Sequence, residues 1–551
     1  MQIAEALKAY RAQNKSAWEA SGAWKNRTLA DEVLRRAEAS PDRSVYSFDD
    51  GDELSYGALM QEALALAAAF QQMGLAKGDV VSFQLPNWRE VASLDVACAY
   101  LGLVLCPIIP IYRAKEVQFI LRASRAKLHL AADAYRGFDY RTMLDGMISQ
   151  LPELKAVVYV RPEQPCANTF GNMIDQGKGR APVRPAVDAS AFKLILYTSG
   201  TTGVPKGVLH DHNSIRCILD TSIRHWNLGP DDVMLMPSPV THITGIGSGV
   251  ELPVCCGGKT AFMEKWNAEA AVAYIKRVGA TVSVAATPFL VELVDAAKRL
   301  GEGLPSMRLF ACGGAAVPPE VIRSVSETLS RCRAFRVYGS TETPMITQGF
   351  VGAGDLELAA NSDGQIVGFE VKVVDDKGLQ VAAGQEGEIL ARGPGMLLGY
   401  MDQAHNTDAF DPSGYFRTGD LGRLVPDSGI VITGRKKDLI IRGGENISAK
   451  EIEDVLHRHP AVREVSVVAM PHARLGEGVC AYVIPADADH PPTLEALLAV
   501  CADARVAKQK WPERIEIVSS FPRTATGKIQ KNELRKMIYQ KLASDAPGQE
   551  Q

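Results

Sequence analysis

The stretch YTSGTTGVPKGV, residues 197–208, gathers glycines, hydroxyls, one proline and one lysine directly after the apolar run AFKLIL. A turn of this composition after a strand can aim several backbone N–H groups at one anion, while the hydroxyls and Lys206 add donors. The residue types therefore predict a phosphate cradle. A flexible surface turn is the plain alternative for any lone glycine-rich segment. Here the buried-type strand before it, the proline fixing the turn and the lysine all favour the cradle. The spacing Gly-x-x-x-x-Gly-Lys-Ser/Thr does not occur in this stretch, so it is not a P-loop.

Four further islands follow in order: YGSTE at 338–342, YFRTGDLG at 415–422, GRKKDLIIRGGENI at 434–447 and PRTATGKIQK at 522–531. Together with the first stretch they resemble the ordered signature motifs of the adenylate-forming superfamily. Acyl-CoA synthetases, peptide-synthetase adenylation domains and firefly luciferase belong to it. The resemblance covers about residues 25–540, and the wording is most like bacterial medium-chain or cyclohexanecarboxylate-type acyl-CoA ligases. It implies two steps. A carboxylate attacks the α-phosphate of ATP to give an acyl-adenylate and pyrophosphate, and a thiol, usually that of coenzyme A, then displaces AMP. A carboxylate is a poor electrophile and a mixed anhydride a good one, so the protein must supply charge neutralisation at phosphorus and accurate placement.

By this resemblance Thr198, Ser199, Gly200, Thr201, Thr202, Gly203 and Lys206 hold the β- and γ-phosphates. Tyr338 stacks on adenine with Gly339 beside it, Thr341 bonds the α-phosphate, and Glu342 lies near Mg²⁺, a hard cation suited to a carboxylate and phosphate oxygens. Asp420 accepts from both ribose hydroxyls and Arg435 also reaches the ribose. Lys528, in the TGK motif, bridges substrate carboxylate and phosphate as a compact charge. The segment ACGGAAVPPE, with Gly313, Gly314 and Ala315, flanks substrate and adenine. Lys437 matches the hinge about which the small domain rotates between steps, and Arg442, Gly443 and Gly444 then approach the site, the glycines letting the pantetheine arm pass close to backbone.

The acid itself is less legible. PSPVTHITGIG, residues 237–247, matches the acyl-pocket segment, with His242 at the position near the pocket mouth. Val240, Thr241 and Ile243 offer no carboxylate to a substrate ammonium, whose unpaired burial is costly, so an amino acid fits poorly. With Ile246, Ala315, Ala316 and Met345 they suggest an apolar pocket for a medium-chain, alicyclic or aromatic acid. A stand-alone enzyme loading a carrier protein is the alternative. An oxygenase using the same adenylation step and a regulator without chemistry are weaker rivals, the latter because Lys206, Glu342, Asp420, Arg435 and Lys528 are all present.

The elements that must position these residues follow from length and pattern. A chain of 551 residues exceeds what one core usually supports. Helical patterns alternate with β-branched runs: helix over 59–74, strand over 80–85, strand over 281–285 and helix over 289–300, as in α/β layers. From Gly368 the text becomes β-rich and glycine-punctuated, and beyond the GRKKD run a shorter α/β pattern resumes. The expected fold class is α/β: a large N-terminal domain of layered α/β subdomains plus a β-rich subdomain, over 1–433, a hinge at 434–437, a small mobile C-terminal α+β domain over 438–543 and a tail at 544–551.

The formal charge of −4 gives no basic field for nucleic acid. The apolar stretch 91–112 is interrupted by Asp95, Pro107 and Pro110, which predicts a buried helix running into a strand or loop, not a membrane span. Ten scattered cysteines without a CxxC pair fit free thiols. A cytoplasmic enzyme is expected, whose partners are a small-molecule carboxylic acid, ATP and coenzyme A, with a homodimer as an option.

Overall fold

In the computed structural model of the chain, residues 1–198, 205–314, 317–524 and 528–545 are described. The chain divides into two compact units, Met1–Glu370 with Ala391–Phe416, and Val371–Leu390 with Arg417–Gln551.

The first unit is built on two seven-stranded sheets. One runs in the order Arg333–Val337, Leu309–Gly313, Val282–Ala285, Val233–Met236, Lys259–Phe262, Ser44–Phe48, Glu53–Ser55. All its pairings are parallel except the last, a hairpin. Parallel neighbours need crossovers, and the helices Ala268–Val278 and Thr287–Leu300 supply them between consecutive strands. The second sheet runs Gly399–Tyr400, Lys206–Asp211, Phe192–Thr198, Val104–Pro107, Val80–Gln84, Ala126–Ala132, Ala156–Val160. Its first three strands are antiparallel and the rest parallel.

Two helices between these sheets show how sequence sets burial. Tyr56–Gln72 is capped by Ser55, whose hydroxyl accepts from the Ala58 N–H, and its alanines let a neighbour approach closely. That neighbour, Glu90–Leu101, is buried on nearly every side and ends on Gly102 in the left-handed conformation before the strand Val104–Pro107. The stretch 91–112 is thus a buried helix, as expected, and of the two continuations left open, strand or loop, it takes the strand; among the described residues no helix is long and apolar enough to cross a membrane. Asp95 belongs in this helix because Lys193 Nζ meets its carboxylate at 2.7 Å and Glu251 at 3.1 Å, all three nearly inaccessible to solvent. Buried charges persist when paired, and this cluster ties the helix to the strand Phe192–Thr198.

The second unit contains a four-stranded sheet in the order Glu370–Val374, Gly387–Arg392, Phe416–Val425, Gly429–Arg435, the hairpin-rich text read from Gly368 onward. It also contains a five-stranded sheet centred on Val462–His472 and Gly476–Pro485. Alternation along VREVSVVAMP decides its two faces. Val467 and Ala469 pack with Ile452, Leu456, Leu497 and Cys501, while Val468 and Met470 pack with Phe521, Leu534 and Ile538 of the opposite layer. All ten cysteines are free, most of them buried.

Candidate active site

Within the first unit the strands Phe192–Thr198 and Lys206–Asp211 pair antiparallel, with Thr198 opposite Lys206. Ser199, Gly200, Thr201, Thr202 and Gly203 lie outside the described residues, as do Ala315 and Ala316. The two ends of the expected cradle are therefore neighbours in a hairpin, unlike the strand-to-helix turn of a P-loop. Lys206 leaves this hairpin beside the short strand Gly399–Tyr400, and its ammonium stands 5.3 Å from the centre of the Tyr400 ring.

The YGSTE residues follow the strand Arg333–Val337 at its carboxyl end, where ligands of open α/β sheets usually bind. The Tyr338 N–H donates to Thr347 Oγ1 at 2.7 Å, and Thr347 returns its own N–H to the Tyr338 carbonyl. Ser340 Oγ accepts from the N–H groups of Glu342 and Thr343, closing a tight turn. Gly339 is required there: a Cβ on it would lie 2.3 Å from the Met345 nitrogen. Gly313 ends the adjacent strand, and a Cβ on it would lie 2.4 Å from the Val337 carbonyl oxygen. Its neighbour Gly314 takes a φ of +80°, the left-handed region that glycine enters freely.

Three contacts from the second sheet hold this turn. Tyr400 donates its hydroxyl to Glu342 Oε1 at 2.9 Å, the Leu397 N–H donates to the Glu342 carbonyl at 2.8 Å, and His210 Nε2 meets the Thr341 carbonyl at 2.7 Å. Burial holds the His210 pKa down at about 4, so the ring is neutral. Its Nε2 must carry the proton to donate to that carbonyl, leaving Nδ1 to accept from Ser214 at 3.3 Å. Next to it, Asp211 caps the helix His212–His225 and forms a buried ion pair with Arg11 of the helix Glu5–Ala20.

His242 sits half-buried where the chain enters the π-helical stretch Thr244–Glu251, and its Nδ1 accepts the Thr244 N–H at 3.3 Å. Wide helical turns of this kind are rare and cluster at functional sites. Val240 and Ile246 of the same segment are 1% and 0% exposed, so both are core residues that back this wall.

In the second unit Asp420 and Arg435 face each other across the strands Phe416–Val425 and Gly429–Arg435, with Arg435 Nε 2.9 Å from Asp420 Oδ1. Thr418, unassigned in the sequence, shapes this pair: its hydroxyl donates to the Ile389 carbonyl and accepts the Asp420 N–H. Lys528 belongs to the same group. Thr524 fixes its backbone, donating its N–H to the Lys528 carbonyl at 2.8 Å and accepting the Lys528 N–H on its hydroxyl at 3.1 Å. Burial of the ammonium and then the like charges of Arg435 and Lys437 pull the Lys528 pKa down to about 7, against the opposing pull of Asp420 and Asp438. Lys437 is exposed, within the 3₁₀ turn Lys436–Asp438.

Arg442 is engaged, its guanidinium bonded to Glu513 and to the Gln509 carbonyl. Gly443 and Gly444 form the two-residue loop of the hairpin Leu439–Arg442 and Glu445–Ser448, with φ of +61° and +90°. Positive φ at both positions is that of a type I′ turn, a conformation that glycine enters freely.

Within the first unit a cation and a carboxylate beside one turn suit phosphate oxygens; within the second, an aspartate paired with an arginine suits vicinal hydroxyls. Among the described residues no cluster of His, Cys, Asp and Glu could cage a metal alone. Glu342 fits a cation that arrives on phosphate oxygens.

Residues 33–401 match the AMP-binding enzyme family, and residues 451–528 match the AMP-binding enzyme C-terminal domain. This chain belongs to the AMP-binding enzyme family. The AMP-binding enzyme described here is 35% identical over 540 residues to the medium-chain fatty-acid–CoA ligase of Escherichia coli (strain K12), covering 97% of this chain and 95% of that one. It is 32% identical to the 2,3-dihydroxybenzoate-AMP ligase of Bacillus subtilis (strain 168), over 95% and 96% of the two chains. The crystal structure of ATP-bound MatB from Rhodopseudomonas palustris superposes with a TM-score of 0.83 at 28% identity, over 93% of this chain and 99% of that one. The layered α/β body with a smaller C-terminal part is thus the fold of this family.

Proposed function

We propose that this AMP-binding enzyme is an ATP-dependent acyl-CoA ligase for a hydrocarbon carboxylic acid. The observation that carries it is the group in the second unit: Lys528, Arg435 and Asp420 stand together, giving one lysine beside a residue pair suited to a ribose. The medium-chain ligase relative, matched over 97% of this chain, supports coenzyme A as the acceptor. The segment 237–250, which contains no acidic residue, supports an uncharged acyl chain.

In the proposed first step a substrate carboxylate oxygen forms a bond to the α-phosphorus as the bond to pyrophosphate breaks. Lys206 and Thr198 hold the phosphate tail, Thr341 donates to the α-phosphate and Tyr338 packs on the base. Asp420 and Arg435 orient the ribose, and Lys528 neutralises charge building on the phosphoryl and carboxylate oxygens. Mg²⁺, received by Glu342, would add charge neutralisation at the phosphates. In the second step the coenzyme A thiol attacks the acyl carbonyl and AMP leaves with the anhydride electrons. We assign 1–433 to the nucleotide and acyl domain, 434–437 to a hinge pivoting at Lys437, and 438–543 to the domain that carries Lys528. Arg442, freed from Glu513, would serve the thiol step.

Loading of a carrier protein is the second reading, supported by the salicyl-AMP ligase / salicyl-S-ArCP synthetase of Mycobacterium tuberculosis (strain ATCC 25618 / H37Rv), 32% identical over 96% of this chain. Pyrophosphate release across straight-chain, alicyclic, aromatic and amino acids, with and without coenzyme A, tests both. A hydrocarbon acid whose turnover accelerates with coenzyme A is expected. Turnover indifferent to coenzyme A but stimulated by a phosphopantetheinyl protein would overturn the ligase in favour of carrier loading.

A further inference from the structure

Tyr400 has no place among the motif residues, yet it touches two of them. Its hydroxyl donates to Glu342 Oε1 at 2.9 Å, 58 residues away in sequence, while its ring face carries the Lys206 ammonium at 5.3 Å. The side chain is 5% exposed and packs with Leu7, Tyr10, Met396 and Leu397. Phenylalanine would fill that space equally well, so packing does not account for the hydroxyl. A phenol keeps its proton at neutral pH and an ionised carboxylate can only accept, so Tyr400 is the donor in this pair.

The backbone explains how one ring reaches both partners. Val208 pairs with Tyr400 across antiparallel strands, so Lys206 and Tyr400 lie on neighbouring strands near the same end of the sheet. Leu397, three residues upstream of Tyr400, bonds the Glu342 carbonyl, so the same segment grips both the backbone and the carboxylate of Glu342. A charge-assisted hydrogen bond fixes the orientation of that carboxylate, and the ring holds the ammonium within the range of cation–π attraction.

We infer that Tyr400 is a positioning residue of the adenylation step, its hydroxyl orienting the Glu342 carboxylate toward the metal-bearing phosphates and its ring seating the Lys206 ammonium. The inference rests on Glu342 being the metal-side carboxylate, and the test separates the two. Binding of ATP to the full-length enzyme is measured twice: as the Mn²⁺ complex by water proton relaxation, and without metal in EDTA by equilibrium dialysis. The enzymes compared are wild type, Tyr400→Phe, Tyr400→Leu and Glu342→Gln.

Tyr400→Phe removes only the hydroxyl. It weakens Mn²⁺·ATP binding about tenfold, raises the Mg²⁺ needed for half-maximal pyrophosphate release, and leaves metal-free ATP binding at the wild-type value. Tyr400→Leu also removes the ring and weakens metal-free ATP binding as well. Tyr400→Phe that binds Mn²⁺·ATP like wild type while Glu342→Gln does not would overturn the role of Tyr400. Equal weakening of metal-free and metal-bound ATP by Tyr400→Phe would reduce Tyr400 to a structural residue. Wild-type Mn²⁺·ATP binding by Glu342→Gln would remove the metal-side role of Glu342, and the inference with it.

Discussion

Raising the pH through about 7 should slow adenylation and spare thioester formation if, as proposed, Lys528 acts as a charged group in the first step alone. The ordinary lysine value of 10.5 falls to about 7 here through burial and the nearby Arg435 and Lys437. A group of that pKa is about 90% protonated at pH 6 and about 10% at pH 8. The kcat/KM of adenylation, which reports the free enzyme, should therefore fall about tenfold across that interval. Bound phosphate adds negative charge beside the ammonium and raises its pKa, so the kcat profile should descend at higher pH than kcat/KM. The linkage runs the other way for folding. Between about pH 7 and 10.5 the unfolded chain binds the proton and the native one does not, so this residue adds stability as pH rises through that window. Pyrophosphate release should be followed across the pH range beside coenzyme A acylation from supplied acyl-adenylate. Lys528→Arg, charged at every pH used, should lose the alkaline limb while running slower throughout. A flat wild-type kcat/KM for adenylation, or an unchanged limb in Lys528→Arg, would refute the assignment.

Four substitutions probe the remaining framework. Lys193→Met leaves Asp95 and Glu251 buried without their shared cation and should cost about 3–5 kcal/mol, read as a lowered urea midpoint; a loss under about 1 kcal/mol would mean that the two carboxylates are neutral. Gly339→Ala forces a Cβ against the Met345 nitrogen and should displace Thr341 and Glu342, lowering adenylation about 100-fold with an unchanged circular dichroism spectrum. Gly443→Ala should cost about 1–2 kcal/mol, since φ is +61° there. If only the turn requires this glycine, coenzyme A transfer by folded Gly443→Ala stays at the wild-type rate. Lys437→Pro should keep one half-reaction and abolish the other, and wild-type rates in both would end its role as a hinge.

Much of this protein was legible in one dimension. Periodicity placed the helix Tyr56–Gln72 and the strand Val80–Gln84 to within a few residues, because a helix or strand must repeat its apolar face at a fixed interval. The prolines and Asp95 in 91–112 correctly turned a membrane reading into a buried helix and strand. Short motifs named the chemistry because phosphate, ribose and carboxylate each demand particular side-chain types, and those types lie close together in the chain. Glycine pairs were harder: the motif suggested clearance for a ligand at Gly443 and Gly444, and only the structure adds that their positive φ values also serve a hairpin.

The sequence by itself therefore determined the family and the alternation of elements, and it nominated the side chains proposed to meet ATP. Only the tertiary structure decided which residues outside those motifs orient them. Tyr400 reaches Glu342, His210 reaches the Thr341 carbonyl, and Lys193 sits between Asp95 and Glu251. None of these partners is signalled by spacing, since they meet through strand order and register. Strand order and register are set by which apolar faces bury together, a property of the whole sheet and of no local run. Desolvation, which makes Lys528 titrate near neutrality and His210 stay uncharged, likewise exists only once the chain has closed around those groups.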